Sequence, residues 1–401
     1  MTDPDFSRGC AFVGGEFVPI DQAAIPITDT GFTRSDVTYD VVGVWQGRFF
    51  RLDDHLARFE RSWLQLRMHP PLAREAMREV LLECVARSGL RDAYVEMIVS
   101  RGVPRDGDRD PRNFINRFYA FAIPYVWIAQ PAQQLAGLSV VVARGARRIP
   151  SDCVDPRVKN FHWGDLTRGL FEAYDRDAYT AVLLDVDGNV TEGPGFNIFG
   201  VESGRLLTPA DGVLEGITRD TVITLAHDEG IETVAGKFGA DRLRRCDEIF
   251  LTTTAGGIMP VTVLDGERIG GGVPGKITLM LRDRYWAAHA TGAWTTAVEY
   301  DKASLRSVPG RYRRVRSESS VNSGDELVTR RQGRNREIEV ACLGDRIPER
   351  FVDFEALTAF EILQRRHPVI RRRLQPVTSD PDQHIASVLD RSRDHAGNRQ
   401  R

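Results

Sequence analysis

The sequence predicts an α+β protein built in two parts, and three observations carry that prediction. Within the first 125 residues, hairpins give way to two amphipathic helices and then to two long strands. A second series of strands and helices follows, and it does not repeat the first. The chain has 401 residues, and at about 150 residues per domain that implies two or three domains.

Each element has a local reason. Ala11 to Val18 reads as a hairpin closed on Gly14-Gly15. Asp36 to Trp45 alternates, turns at Gln46-Gly47 and returns through Arg48 to Leu52. Asp53 is expected to cap a helix with the stripe Leu56, Phe59, Trp63 and Leu66, ended by Pro70-Pro71. Met77, Val80, Leu81, Cys84 and Val85 mark a second helix; Ala93 to Ser100 and Phe114 to Tyr125 read as strands.

Residues 126–137 read as a linker. Beyond it come a strand at Ser139, a helix expected over Asn160 to Asp175, and a strand, turn and strand from Ala181 to Glu192. A hairpin from Phe196 to Thr208, a helix opened by Gly216, a strand from Glu248 to Thr252 and a last helix from Lys276 to His289 complete the series. The domains are therefore drawn at 1–125 and 138–295, with 296–401 as a basic, largely irregular tail.

Charge supports that last boundary. Residues 301–401 carry 21 basic and 15 acidic residues, a net +6, against −8 for residues 1–300. Phe351 to Leu363 has enough apolar periodicity for a helix, and its flanks read as weakly ordered. The tail is a solvated appendage or a basic arm for nucleic acid, the former favoured. The whole chain has a net charge of −2, so no global pull toward nucleic acid or membrane is expected. No apolar run reaches the length of a membrane span. The start of the chain is acidic and polar, unlike a secretory signal. The five cysteines are odd in number and widely spaced. They predict reduced thiols in a cytoplasm, with neither a disulfide framework nor a metal site.

Lysine is scarce: only Lys159, Lys237, Lys276 and Lys302 occur. A neutral amine nucleophile must come from these four, because arginine stays protonated. Lys159 lies among apolar and aromatic neighbours between a strand and a helix. Burial there favours the uncharged amine that Schiff-base chemistry needs. Downstream, Glu192 precedes two glycines at a strand end, where a carboxylate can pair with a protonated ring nitrogen. Gly216-Ile217-Thr218 opens a helix, and free N–H groups with the positive dipole end make a phosphate seat. Thr252-Thr253-Thr254-Ala255, following a strand and leading into two glycines, offers a second seat. Each signal has an ordinary structural explanation by itself. Their succession, amine, carboxylate and two seats, is what pyridoxal 5'-phosphate requires.

With those residues placed, residues 10–292 resemble the fold-type IV pyridoxal-phosphate enzymes. Glu192-Gly-Pro-Gly-Phe-Asn197 is similar to that family's E-G-x-G-x-N, Gly216-Ile-Thr-Arg219 to its G-I-T-R, and His55-Leu-Ala-Arg58 to its H-x-x-R. The last match implies that Arg58 binds the cofactor phosphate; alone, Arg58 reads as a polar-face helix residue. Longer blocks resemble the (R)-selective amine transaminases: Ser35 to Tyr39, Phe50 to His55, Tyr94 to Gly102, Lys159 to Leu166, and Thr253 to Pro260.

The resemblance implies a two-domain fold-type IV architecture, like that of D-amino-acid and branched-chain aminotransferases, with the active site at the domain interface. It implies a homodimer in which a partner's loop reaches each site. The implied reaction is reversible amino transfer between a chiral amine or D-amino acid and a keto acid such as pyruvate. Lys159 holds the cofactor and moves the proton, Glu192 holds the ring nitrogen's proton, and Arg58, Gly216, Ile217, Thr218, Thr253 and Thr254 hold the phosphate. Tyr39, Tyr94, Trp163 and Ala255 wall the substrate pockets.

The chain departs from the subgroup's pattern. Arg34 stands where a histidine usually precedes the Ser-Asp pair. The loop after Arg101-Gly102 offers Arg105 or Arg109, not one fixed arginine, to capture a substrate carboxylate. The subgroup also lacks the tail. A branched-chain or D-amino-acid aminotransferase, and a binding protein acting through its basic tail, remain the alternatives.

Overall fold

The computed structural model describes residues 4–104, 107–290 and 292–302. Arg105, the stretch from Phe351 to Leu363 and nearly all of the tail lie outside these, as do the sequence expectations made for them.

A first sheet is antiparallel throughout. Its strands are β1 (Cys10–Val13), β2 (Glu16–Pro19), β3 (Val37–Trp45), β4 (Arg48–Phe50), β5 (Ala93–Val103) and β6 (Ile115–Pro124). A late strand, Thr295–Ala297, pairs with β4 and gives the order late strand-β4-β3-β5-β6-β1-β2. The chain thus returns to this sheet at residue 295, where the sequence placed the start of the tail. Val298 is buried beyond it, and the Tyr300 hydroxyl donates to the Leu90 carbonyl at 2.7 Å. The β3–β4 turn uses Gln46 and Gly47, both at positive φ (51° and 76°), which matches the twist of the strands it joins.

One face of this sheet is packed under two helices, α2 (Leu52–Gln65) and α3 (Arg74–Ser88), which follow the short α1 (Thr30–Arg34). Leu56, Phe59 and Trp63 from α2 meet Met77, Val80 and Leu81 from α3 and Val42, Val95 and Met97 from the strands. The alternation of the strands turns Tyr39, Val41, Tyr94, Phe121 and Ile123 to the opposite face. Asp53 does not cap α2. Arg51 occupies that position in the left-handed region, with no side-chain cap, while Asp53 and Asp54 sit in the first turn. There they complement the positive dipole end.

The second sheet contains β7 (Leu138–Arg147), β8 (Thr180–Leu184), β9 (Asn197–Glu202), β10 (Arg205–Pro209), β11 (Thr233–Gly236), β12 (Glu248–Thr253) and β13 (Gly257–Leu264), in the order β11-β10-β9-β12-β13-β7-β8. The short β14 (Glu267–Arg268) pairs with β13. Helices α5 (Gly164–Asp175), α6 (Ile217–Asp228), α7 (Ala240–Arg244) and α8 (Lys276–Ala290) accompany it. The segment read as a linker contains the short helix α4 (Pro131–Ala136), opened by Pro131 and by a capping box of Gln130 and Gln133.

Helix α5 begins at Gly164, four residues later than expected. Asn160 instead bridges to Thr38 of β3, and its Oδ1 accepts the His162 N–H at 3.0 Å. These bonds hold the stretch from Lys159 to His162 against the first sheet instead of releasing it into a helix. No helix among the described residues is long and apolar enough to cross a membrane.

Candidate active site

A cavity of about 410 Å³ is lined by residues of both sheets. From the first sheet and its helices come Tyr39, Val41, Arg58, Tyr94, Phe121 and Ile123; from the second part come Lys159, Trp163, Glu192 and the starts and ends of β9, α6 and β12.

Lys159 is held from its backbone outward. Its carbonyl accepts the Tyr39 N–H at 3.1 Å and the Thr38 hydroxyl at 2.7 Å, so the residue is pinned to β3. Its Nζ donates to the Tyr39 hydroxyl at 3.2 Å, and Trp163 Nε1 donates to the same oxygen at 3.2 Å. Both lone pairs of that oxygen are thereby engaged, leaving the Tyr39 proton free to donate.

Glu192 is positioned by a short antiparallel pairing with β8. Its carbonyl accepts the Leu183 N–H at 2.9 Å, and Thr191 N–H donates back to the Leu183 carbonyl at 3.0 Å. The expected second strand arm is thus reduced to a bridge around Val190. The Glu192 carboxylate accepts the Leu214 N–H at 2.9 Å and sits 3.0 Å from Arg148. Arg148 also donates to Asp165 at 2.7 Å, and all three side chains are buried. Burial works against the Arg148 charge, but Glu192 and Asp165 outweigh it and hold it firmly protonated. Burial pushes the Glu192 carboxyl above its usual range, and Arg148 only partly offsets that. One guanidinium shared between two buried carboxylates leaves Glu192 able to gain from a further proton-bearing partner.

Arg58 reaches the cavity from α2. Its Nε and Nη2 donate to the two oxygens of Asp40 at 2.8 Å each, and Nη1 donates to the Glu215 carbonyl at 2.9 Å. His55 Nδ1 lies 2.8 Å from the same carboxylate. Burial would raise the Asp40 pKa, yet Arg58 and His55 hold it well below the carboxylate range. Burial also lowers the His55 pKa, favouring its neutral form.

Gly216 precedes α6 directly, and Ile217 and Thr218 form its first turn at the cavity wall. The first N–H groups of a helix have no intrahelical partner. Thr253, Thr254 and Ala255, where β12 ends, face the same space. Thr252 Oγ1, also at this wall, is buried without a hydrogen-bond partner.

These residues fit pyridoxal phosphate. The cavity offers one lysine amine, a buried carboxylate short of positive partners, a guanidinium, a helix start and an unpartnered hydroxyl. Gly216 leaves no room for a side chain, since a Cβ there would lie 2.1 Å from Asn197 Oδ1.

Not every predicted site residue arrives. Arg34 and Arg109 are exposed and are not among the residues that line this cavity. Arg34 ends the short helix α1, which turns it toward solvent. Arg109 precedes a surface turn begun by Asp110 and Pro111. Arg148, Asp165 and Asp40 are polar groups of the site not singled out from the sequence, and His55 and Asn197 entered there only as ends of matched motifs, with no role assigned. The signal for Asp40 was available: it shares strand parity with Val42 and Val44, and a carboxylate on a core-facing position needs a cation.

Residues 38–264, more than half of the chain, match the family described as Amino-transferase class IV. A putative branched-chain-amino-acid aminotransferase of Methanocaldococcus jannaschii is 35% identical over 277 residues, which are 68% of this chain and 94% of that protein. A D-alanine aminotransferase of Bacillus licheniformis is 28% identical over 66% of this chain and 91% of its own length. The crystal structure of a branched-chain amino acid aminotransferase (T.th.) complexed with N-(5'-phosphopyridoxyl)-L-glutamate is also similar. It has a TM-score of 0.67 at 29% identity, covering 73% of this chain and 99% of that one. The chain belongs to the class IV aminotransferases, with their fold-type IV architecture and their dependence on pyridoxal phosphate.

Proposed function

We propose that this aminotransferase moves an amino group between an (R)-configured amine or D-amino acid and a keto acid such as pyruvate. One observation carries the amine half of the reading. Among the described residues lining the cavity, both guanidinium groups are already engaged, Arg58 by Asp40 and Arg148 by Glu192 and Asp165. The walls beside Lys159 are largely aromatic and aliphatic: Tyr39, Val41, Tyr94, Phe121, Ile123 and Trp163. Such walls suit a carboxylate-free amine with one small and one larger substituent. They discriminate by only about 1–3 kcal/mol per methylene, so a broad substrate range is expected.

In this reading the bound cofactor supplies an aldehyde for amine capture and an electron-withdrawing ring. Lys159 Nζ holds and moves the proton of the substrate carbon, and Tyr39 fixes where that amine rests. Glu192 keeps the ring nitrogen's proton in place, and Arg148 keeps Glu192 ionised to do so. Arg58, Gly216, Ile217 and Thr218 take the phosphate from one side, and Thr253 and Thr254 from the other. Tyr94, Trp163 and Ala255 bound the substrate pockets. The working unit in this reading is a cytoplasmic homodimer. In this reading Arg105 or Arg109 receives the keto acid's carboxylate. Sedimentation at assay concentration tests the dimer.

The names of the relatives favour a second reading, a branched-chain or D-amino-acid aminotransferase. Absorbance of the purified holoenzyme separates the two. Loss of the visible band with (R)-1-phenylethylamine, and not with the (S) enantiomer, supports the amine reading. Response to D-alanine or L-leucine alone moves the assignment to amino-acid donors.

A further inference from the structure

On the three central strands of the first sheet, the face toward the cavity carries one carboxylate, Glu96. In register it stands between Val41 and Phe121, both of which line the cavity. It is 9% exposed, and its Oε2 accepts the hydroxyl of Tyr94, another lining residue, at 3.0 Å. Nothing in the transamination steps above uses it.

We propose that Glu96 sets the preference of the cavity between ligands with and without a carboxylate, by placing a negative charge behind the Tyr94–Phe121 wall. The inference rests on the reading that both kinds of substrate use this cavity. A second anion brought near a buried carboxylate is repelled through a medium of low dielectric, and a neutral aryl or alkyl group is not. Glu96 is thus a positioning residue: it orients Tyr94 and shapes the potential at the wall without touching the ligand.

Its charge depends on pH. Burial raises its pKa to about 7; the Tyr94 hydroxyl and Lys159 pull it down, and Asp40 pushes it up. Tyr39 on β3 and Tyr119 and Arg117 on β6 share its face, Lys159 approaches from the second part, and Asp40 lies on the reverse face of β3. Below pH 7 the carboxyl is neutral and a ligand carboxylate is tolerated; above it the repulsion appears.

The test is calorimetric binding of phenylacetate and phenylacetamide to the holoenzyme at pH 6 and pH 8.5. For the native protein, affinity for phenylacetate relative to the amide is expected to fall about fivefold to tenfold across that range. Glu96→Gln is expected to abolish the fall and to raise relative phenylacetate affinity at pH 8.5 by a similar factor. Tyr94→Phe keeps the carboxylate and removes a donor that lowers its pKa, so the fall should move to higher pH. A role in packing alone changes both ligands equally. A fall in Glu96→Gln as large as the native one, or no fall in the native protein, overturns the proposal. If (R)-1-phenylethylamine proves not to be a donor, the proposed function fails, while this ligand pair still reports on Glu96.

Discussion

Asp40 and Arg58 form a two-pronged ion pair inside the protein, with both guanidinium-to-carboxylate bonds at 2.8 Å and the Asp40 side chain wholly buried. The pair joins β3 to α2 and aims the rest of the guanidinium at the cavity. Asp40→Asn leaves Arg58 buried without a counter-charge. It is expected to cost about 3–5 kcal/mol of stability and to weaken retention of the cofactor. Urea unfolding and a cofactor-release assay measure the two effects. The pair also fixes a pH dependence. Unfolded, the carboxyl titrates near about 4, and folded well below that. Its stabilisation is full above about pH 4 and is lost as pH falls through the folded value. The melting temperature of the native protein should therefore drop more steeply in acid than that of Asp40→Asn.

Lys159 is the only lysine at the cavity among the described residues. Lys159→Ala should abolish transamination and remove the visible band of the bound cofactor together. Full activity in that variant would overturn the assignment. Because the lysine carbonyl makes the backbone bonds to β3, the fold should survive the change, as circular dichroism would show.

Arg148→Leu strips the buried Glu192 and Asp165 of their shared cation. The expected loss is about 3–5 kcal/mol. Turnover should fall further than substrate affinity does, because Glu192 would then more readily take a proton of its own. Steady-state kinetics that change KM alone would contradict this role.

Gly216→Ala introduces a methyl group where only 2.1 Å separates the Cβ position from Asn197 Oδ1. The backbone there has φ −64°, so crowding and not torsional strain is the cause. Asn197 must move, and with it the bonds its amide makes to Leu214 and Glu192. A loss of about 1–3 kcal/mol and weaker cofactor binding are expected, read by thermal melting and reconstitution titration.

What was legible in the sequence was what is local in the chain. Lys159, Glu192, Gly216 and the threonines at the end of β12 each sit in a short segment, and it was their order along the chain, not any one of them, that pointed to a common site. The hairpins on Gly14-Gly15 and Gln46-Gly47 were readable because each is local. Arg58 was legible only through its motif, because an arginine on a helix looks solvated until Asp40 is brought beside it. Arg148 is 44 residues from Glu192 in the chain and meets it only once β7 has formed. The start of α5 differs from its expected place because Asn160 finds a partner on β3, a contact no helix propensity can foresee. Asp53 was the natural cap by residue type, yet Arg51 takes that place because β4 delivers the chain to α2 in a left-handed turn.

The two bonds accepted by the Lys159 carbonyl have a mechanical meaning. The donors, Tyr39 and Thr38, belong to the first sheet, while the lysine lies between β7 and α5 of the second part. On the proposed reading, the reactive residue is therefore also a hasp between the two layers. In that reading its side chain would swing on a stationary pivot, with neither sheet obliged to shift. The same arrangement makes Thr38, remote from any chemistry, a residue whose loss would unsettle the amine's aim by loosening the hinge on which it turns.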